Sequence, residues 1–149
     1  HCPTSNLFLG SGLFRMSDAK RRERPVHVGL ATDVGGGSSL SQFASMRAAY
    51  QIAQMGEGSL TSVQAFYLAT RGAADALDLV DTIGSISPGF EADLVVLDLR
   101  STPLIDLRMR RASGIADVLF AQMMLADDRA TLATWIAGTP RYERASASL

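Results

Sequence analysis

Apolar and polar positions change period several times along this chain, and each change marks an expected element. Val26, Val28 and Leu30 are strand formers, with the small residues Gly29 and Ala31 between them. They predict a buried strand over 26–33 that ends at Asp33 and a turn of three glycines, Gly35-Gly36-Gly37. Ser38 or Ser39 is then expected to cap a helix over 40–55, because a hydroxyl accepts from the free N–H groups of a helix start. Along that helix Leu40, Phe43, Met46 or Arg47, Tyr50 and Ala53 recur at steps of three and four, and Gly56 and Gly58 end it. Met46 and Met55 read as packing residues rather than as a metal or cofactor box. Thr61 and Gln64 have the spacing of a capping box, so a helix over 62–69 follows, with Val63, Phe66 and Tyr67 inward. Arg71-Gly72 reads as a joint before a short helix over 73–77.

The second half has a different texture. Pro88-Gly89 is a turn dipeptide, and 92–98 reads as a buried strand by length and branching. Arg108, Arg110 and Arg111 interrupt an apolar stretch over 104–111. A short apolar helix over 118–125 is expected to start at Asp117 or Ser113. A last strand covers 131–137 and turns at Gly138-Thr139-Pro140. Ahead of all this, 1–6 reads as the end of a strand entering a loop, with Ser5 and Asn6 as turn or cap residues. The apolar stretch 7–14, broken by Gly10 and Gly12, reads as a buried loop with at most one helical turn. Residues 141–149 lose pattern and read as a frayed, disordered tail.

Two early parallel strands, near His1 and at 26–33, are too few for a parallel sheet, which needs more strands and cover on both faces. The later strands read as a separate small β layer. The chain therefore resembles the far end of a larger α/β protein, and further structured sequence is expected upstream of His1.

Composition narrows the function classes. The 149 residues are 47% hydrophobic and 19% charged, enough to bury a core. A net charge of -1 with both signs scattered argues against a nucleic-acid binder. The charged run Lys20-Arg21-Arg22-Glu23-Arg24 reads as a solvated helix end or, alternatively, an anion site. The lone Cys2 can make no internal disulfide and no cysteine zinc cage, and it fits a reducing, cytoplasmic setting. No apolar run approaches the ~20 residues that span a bilayer.

Asp33 is the residue placed for chemistry. A carboxylate at the C-terminal lip of a strand, before a βα turn, stands where α/β barrels build their active sites. A purely local role, bonding its own turn, is the alternative. His27 shares side-chain parity with Asp33, but six residues of strand separate them by about 20 Å, so it cannot join the same site. His1, near the lip of the neighbouring strand, is placed to approach it. Cys2 has no activating base in view and carries no case as a nucleophile. The glycine turn reads either as close backbone approach to a ligand pocket or as a tight turn alone.

Three stretches together resemble a known family: His1-Cys2-Pro3-Thr4-Ser5-Asn6, Thr32-Asp33-Val34-Gly35-Gly36-Gly37, and Pro88-Gly89-Phe90-Glu91-Ala92-Asp93-Leu94-Val95-Val96-Leu97. They resemble the amidohydrolase superfamily, and within it the guanine deaminase family. Phe66-Tyr67-Leu68-Ala69-Thr70 and Met124-Leu125-Ala126-Asp127-Asp128-Arg129 carry the same likeness. One departure is Ala31, where the family often has Gly. The likeness spans roughly residues 1–140 but only the C-terminal third or so of the family's length.

The resemblance implies an α/β fold: the C-terminal part of a (β/α)8 TIM-barrel metal-dependent hydrolase plus part of its small β-sandwich. It places barrel elements in 1–82, sandwich strands in 83–100 and 131–140, and a helical return segment in 101–130. It implies one divalent metal ion, usually zinc, with Asp33 as ligand and as proton acceptor for the attacking water. The other ligands would lie upstream of His1. His1, Ser5, Asn6, Thr32 and Gly35 are then candidates for the surrounding shell or the substrate pocket. The implied reaction is hydrolytic deamination of guanine to xanthine and ammonia, with a small-molecule purine as the partner, no nucleic acid, no membrane, and a homodimer in the full-length protein. The chain alone is expected to be inactive and prone to self-association. Alternatives are a triazine- or S-adenosylhomocysteine-type hydrolase, or a truncated non-catalytic assembly module.

Overall fold

The computed structural model describes residues 1–21, 23–56 and 58–145. Arg22 of the charged run and residues 146–149 of the expected tail lie outside the described residues. Helices α1 (Pro3–Leu9), α2 (Met16–Lys20), α3 (Gln42–Met55), α4 (Ser62–Ala69) and α5 (Arg71–Ala76) precede strand β1 (Leu94–Leu97). Helices α6 (Pro103–Met109) and α7 (Ile115–Leu125) then lead to strands β2 (Thr131–Ile136) and β3 (Thr139–Glu143). No helix among the described residues is long and apolar enough to cross a membrane.

The expected strand over 26–33 is not formed as a regular strand, and Val26 is exposed, but the middle of this stretch is the seat of the core. Val28 and Leu30 are buried, while His27 and Ala31 face outward. The His1 amine donates to the Gly29 carbonyl at 2.8 Å, and the Ala31 N–H donates to the His1 carbonyl at 3.0 Å. That alternation is one step of a parallel ladder, so the two early segments do run side by side, as far as that single step. Other backbone groups of the segment find partners elsewhere, as buried polar groups tend to. Leu30 N–H donates to the Leu68 carbonyl at 2.8 Å, Gln42 Nε2 donates to the Leu30 carbonyl at 2.8 Å, and Ser45 Oγ donates to the Ala31 carbonyl at 3.2 Å. Around Val28 and Leu30 pack Met46 and Ala49 of α3, Ala65 and Leu68 of α4, and Met123 of α7.

The helices depart from the sequence expectations in instructive ways. The stretch 3–9 is a helix, not a loop, with Pro3 at its start, where a fixed φ and a missing N–H cost nothing. Its second half is not buried: Leu7, Phe8 and Leu9 stand out from the surface. The N-cap of α3 is Ser41, not Ser38 or Ser39, and the Ser39 hydroxyl accepts from the Ser41 N–H at 3.0 Å. Leu40 lies outside the helix and is exposed. The capping box of α4 is present in full: Thr61 Oγ1 accepts from Gln64 N–H and Gln64 Oε1 accepts from Thr61 N–H. The face that α4 buries is Ser62, Ala65 and Leu68; Phe66 turns inward as expected and packs half-buried against the core, whereas Val63 and Tyr67 are exposed. Small side chains on that face let α7 come close, and Ser62 Oγ reaches the Ala116 carbonyl at 2.9 Å. α7 begins after Gly114, with the Asp117 carboxylate accepting from both Ser113 N–H and Oγ. The return segment 101–130 shares its core with the first part of the chain, since Met123 and Phe120 pack in the same cluster as Leu30.

β1, β2 and β3 form one antiparallel sheet in that order. β1 is not a buried strand: Val95 is 61% exposed and Val96 43%. Nor is the stretch after 140 patternless, because Arg141, Tyr142 and Glu143 continue β3. Ile136 pairs with Thr139, so the turn is the two residues Ala137-Gly138, both with positive φ, the hairpin geometry that matches strand twist.

Arg144 fixes the end of this sheet. Its guanidinium donates to Asp98 Oδ2 at 2.8 Å and to the Arg129 carbonyl, and its N–H donates to the Leu132 carbonyl at 2.7 Å. The Arg144 side chain, then the Arg100 N–H, hold the Asp98 carboxyl below the usual carboxylate value. A carboxyl depressed in the folded state stabilises the fold above its unfolded value, near pH 4, and the contribution fades as pH falls through the folded value. Asp98→Asn is therefore expected to lower the denaturation midpoint at pH 7 and to lose that deficit relative to the wild type as the buffer is taken below about pH 4. Urea melts of both proteins across that range check it, and a deficit that persists undiminished into acid contradicts it.

Candidate functional site

Asp33 occupies a left-handed conformation, φ 52°, which Asp tolerates better than most residues. Its carbonyl accepts from Gly36 N–H at 3.0 Å and Gly37 N–H at 2.6 Å, closing the turn. The glycines are there for space. A Cβ on Gly36 would stand 2.8 Å from Asp33 Oδ2 and 3.3 Å from Ser5 Oγ. A Cβ on Gly37 would stand 2.0 Å from the Thr32 carbonyl oxygen and 3.1 Å from Thr4 Oγ1. The turn itself and the carboxylate behind it thus account for Gly36 and Gly37.

The first turn of α1 grips this loop from behind. Thr4 and Ser5 are buried, 7% and 4% exposed. Thr4 Oγ1 donates to the Thr32 carbonyl at 3.5 Å, a long contact, and Ser5 Oγ donates to Asp33 Oδ2 at 2.6 Å. The second contact is a short, charge-assisted hydrogen bond. No described side chain or backbone group donates to Asp33 Oδ1, and the residue is exposed. One carboxylate oxygen is anchored and the other has no hydrogen-bond partner among the described residues. That donor set suits one ligand of a hard or borderline cation. Zinc takes three or four protein ligands, and among the described residues no cluster of three or more His, Cys, Asp or Glu side chains could hold a metal. Asp33 fits a metal site as a single member of it.

The other candidates fall in different places. His1 is one ladder step from Leu30, so its side chain lies on the Leu30 side and not with Asp33. Its ring lies 4.9 Å from that of Phe14, and Nδ1 is buried without a partner among the described residues. A cavity of about 710 Å³ lies on that side, lined by His1, Phe14, Asp18, Ile52 and Gln64 among others, and Asp33 is not part of its wall. Asn6 serves the loop after α1, with Nδ2 donating to the Gly12 carbonyl at 3.3 Å. Thr32 contributes its carbonyl, and Gly35 contributes a positive φ of 98° with open space around it. His27 pairs with Asp75 of α5, Nδ1 to Oδ2 at 2.6 Å, a partnership that no local pattern announces because 48 residues separate the two. Cys2 is a half-buried free thiol at the start of α1. The structure therefore brings together Ser5, Thr32 and Asp33 and leaves His1 and Asn6 outside that group.

Comparison with known proteins places this geometry in context. A family model described as the amidohydrolase family matches residues 1–141. The guanine deaminase of Escherichia coli (strain K12) is 43% identical over 143 residues, covering 96% of this chain and 32% of that protein. The solved structure of E. coli guanine deaminase superposes with a TM-score of 0.91, covering 97% of this chain and 33% of that one. A zinc-bound adenosine deaminase from Xanthomonas campestris is 33% identical with a TM-score of 0.73, covering 94% of this chain and 30% of that one. The chain spans about a third of the length of the relatives it matches.

Proposed function

Because the chain belongs to the amidohydrolase family, with its mixed α/β fold, we propose that it is the C-terminal part of a zinc-dependent guanine deaminase that converts guanine to xanthine and ammonia. The observation that carries the reading is Asp33: it sits at the end of the extended core segment with one oxygen anchored by Ser5 and the other open, in a chain 43% identical to a guanine deaminase. In this reading 1–82 belong to a (β/α)8 barrel, and 83–100 with 131–143 to a smaller β layer.

Asp33 has two tasks. It is one zinc ligand, and its carboxylate accepts the proton lost by the attacking water and returns it to the departing amine. Zinc, when bound, supplies the Lewis acidity that makes water a nucleophile near neutral pH. Ser5 keeps the carboxylate from swinging, and the glycine turn leaves no side chain between it and the open side. The remaining metal ligands, the groups that grip the purine, a homodimeric assembly and a cytoplasmic location all belong to the full-length protein in this proposal.

The test is turnover. The full-length protein with zinc is expected to release ammonia from guanine, and the 149-residue chain alone to release none and to bind no zinc tightly, because one carboxylate cannot replace the three or four ligands zinc needs. A full-length protein that ignores guanine but hydrolyses another heterocycle would leave the family and remove the substrate.

A further inference from the structure

We infer that Ser5 is a positioning residue that selects which oxygen of Asp33 is presented to the metal, an inference that rests on the function proposed above. A carboxylate can rotate about its Cβ–Cγ bond, and its two oxygens are chemically alike until something distinguishes them. Here the distinction comes from α1. Ser5 Oγ stands 2.6 Å from Oδ2, donates its one proton to it, and is 4% exposed, so water cannot substitute for it freely. Ser5 itself is held, because it sits in the first turn of a helix whose Pro3, Thr4 and Ser5 are all buried. Gly36 completes the device from the other side: only a residue without Cβ leaves room for Oδ2 to lie against Ser5. Oδ2 is thereby held toward the protein interior and Oδ1 is the oxygen left for the cation. The pairing joins two stretches 28 residues apart, the first turn of α1 and the glycine turn after Asp33.

The experiment uses the full-length protein and two variants, Ser5→Ala, which removes the donor, and Ser5→Cys, which keeps the volume but donates weakly. Three quantities are read: zinc retention against a competing chelator, kcat and KM for guanine, and the melting temperature of the metal-free protein. Partners that orient a metal ligand are worth about 10- to 100-fold in metal affinity or activity. Both variants are expected to lose zinc affinity and kcat on that scale, with KM within about twofold of the wild type and metal-free melting unchanged for Ser5→Cys. Wild-type zinc retention and kcat in Ser5→Cys overturn the inference, and if Ser5→Ala is then merely unstable, Ser5 is a packing residue. A wild-type protein without zinc binding or guanine turnover instead overturns the proposed function, which separates the two failures.

Discussion

Asp33→Asn is expected to lower kcat for guanine by about 10²- to 10⁴-fold in the full-length protein, the range for removing a positioned proton acceptor. The substitution is nearly isosteric. An amide oxygen can still accept from Ser5 Oγ, so the grip of α1 on the loop is retained. What disappears is the negative charge and the site that takes up the proton. Asp33 lies on an exposed side of the turn, and its own carbonyl, not its side chain, accepts the turn-closing bonds from Gly36 and Gly37. The melting temperature of the metal-free protein should therefore change little, which separates a chemical defect from an unfolded one. Steady-state ammonia release is the measurement. Activity within tenfold of the wild type would mean that Asp33 serves only its turn.

Gly37→Ala is expected to damage both stability and activity. Its methyl group would stand 2.0 Å from a backbone carbonyl oxygen, that of Thr32, which cannot swing aside as a flexible side chain could. The loop must open instead, and the 2.6 Å bond from Gly37 N–H to the Asp33 carbonyl opens with it. Overpacking of this kind costs about 1–3 kcal/mol, visible as a lowered urea midpoint, and the displaced Asp33 should lower kcat as well. Gly114→Ala is the contrast: a Cβ there meets nothing within 4 Å and its backbone is extended at φ -170°. If Gly37→Ala were as well tolerated as Gly114→Ala, the close-packed turn described above would be wrong.

Rules that act over one or two turns of chain were legible in advance. The capping box at Thr61 and Gln64, the helix ending at Gly56 and the strands near 94–97 and 131–136 follow from local chemistry and period. The misses share a cause, which is that burial depends on what else is present. Val95, Val96 and Leu7-Phe8-Leu9 have the composition of a core but are uncovered among the described residues. α4 leaves Val63 and Tyr67 exposed while burying Ser62, whose hydroxyl reaches the Ala116 carbonyl, because its contacts with α7 decide which face is covered. β3 was hidden because Ala137, an unusual residue for positive φ, hosts its turn. Asp33 and Ser5 were each recognisable as candidates, yet their hydrogen bond spans 28 positions and no spacing rule reaches that far. For His1 the ladder partner is Leu30, which sets its side chain on the Leu30 side of the segment.

Gly29 has a wider meaning for the molecule. A Cβ at that position would come within 2.7 Å of the Ala73 Cα, so α5 rests on bare backbone of the segment that ends at Asp33. Two elements in such intimate register have no lubricating layer of side chains between them and slide past each other poorly. α5 is tied onward as well, since its Arg71 donates to the Val80 carbonyl at 2.6 Å and stacks over Phe90. A side chain at position 29 would therefore have to push α5 off the core segment before it could fit.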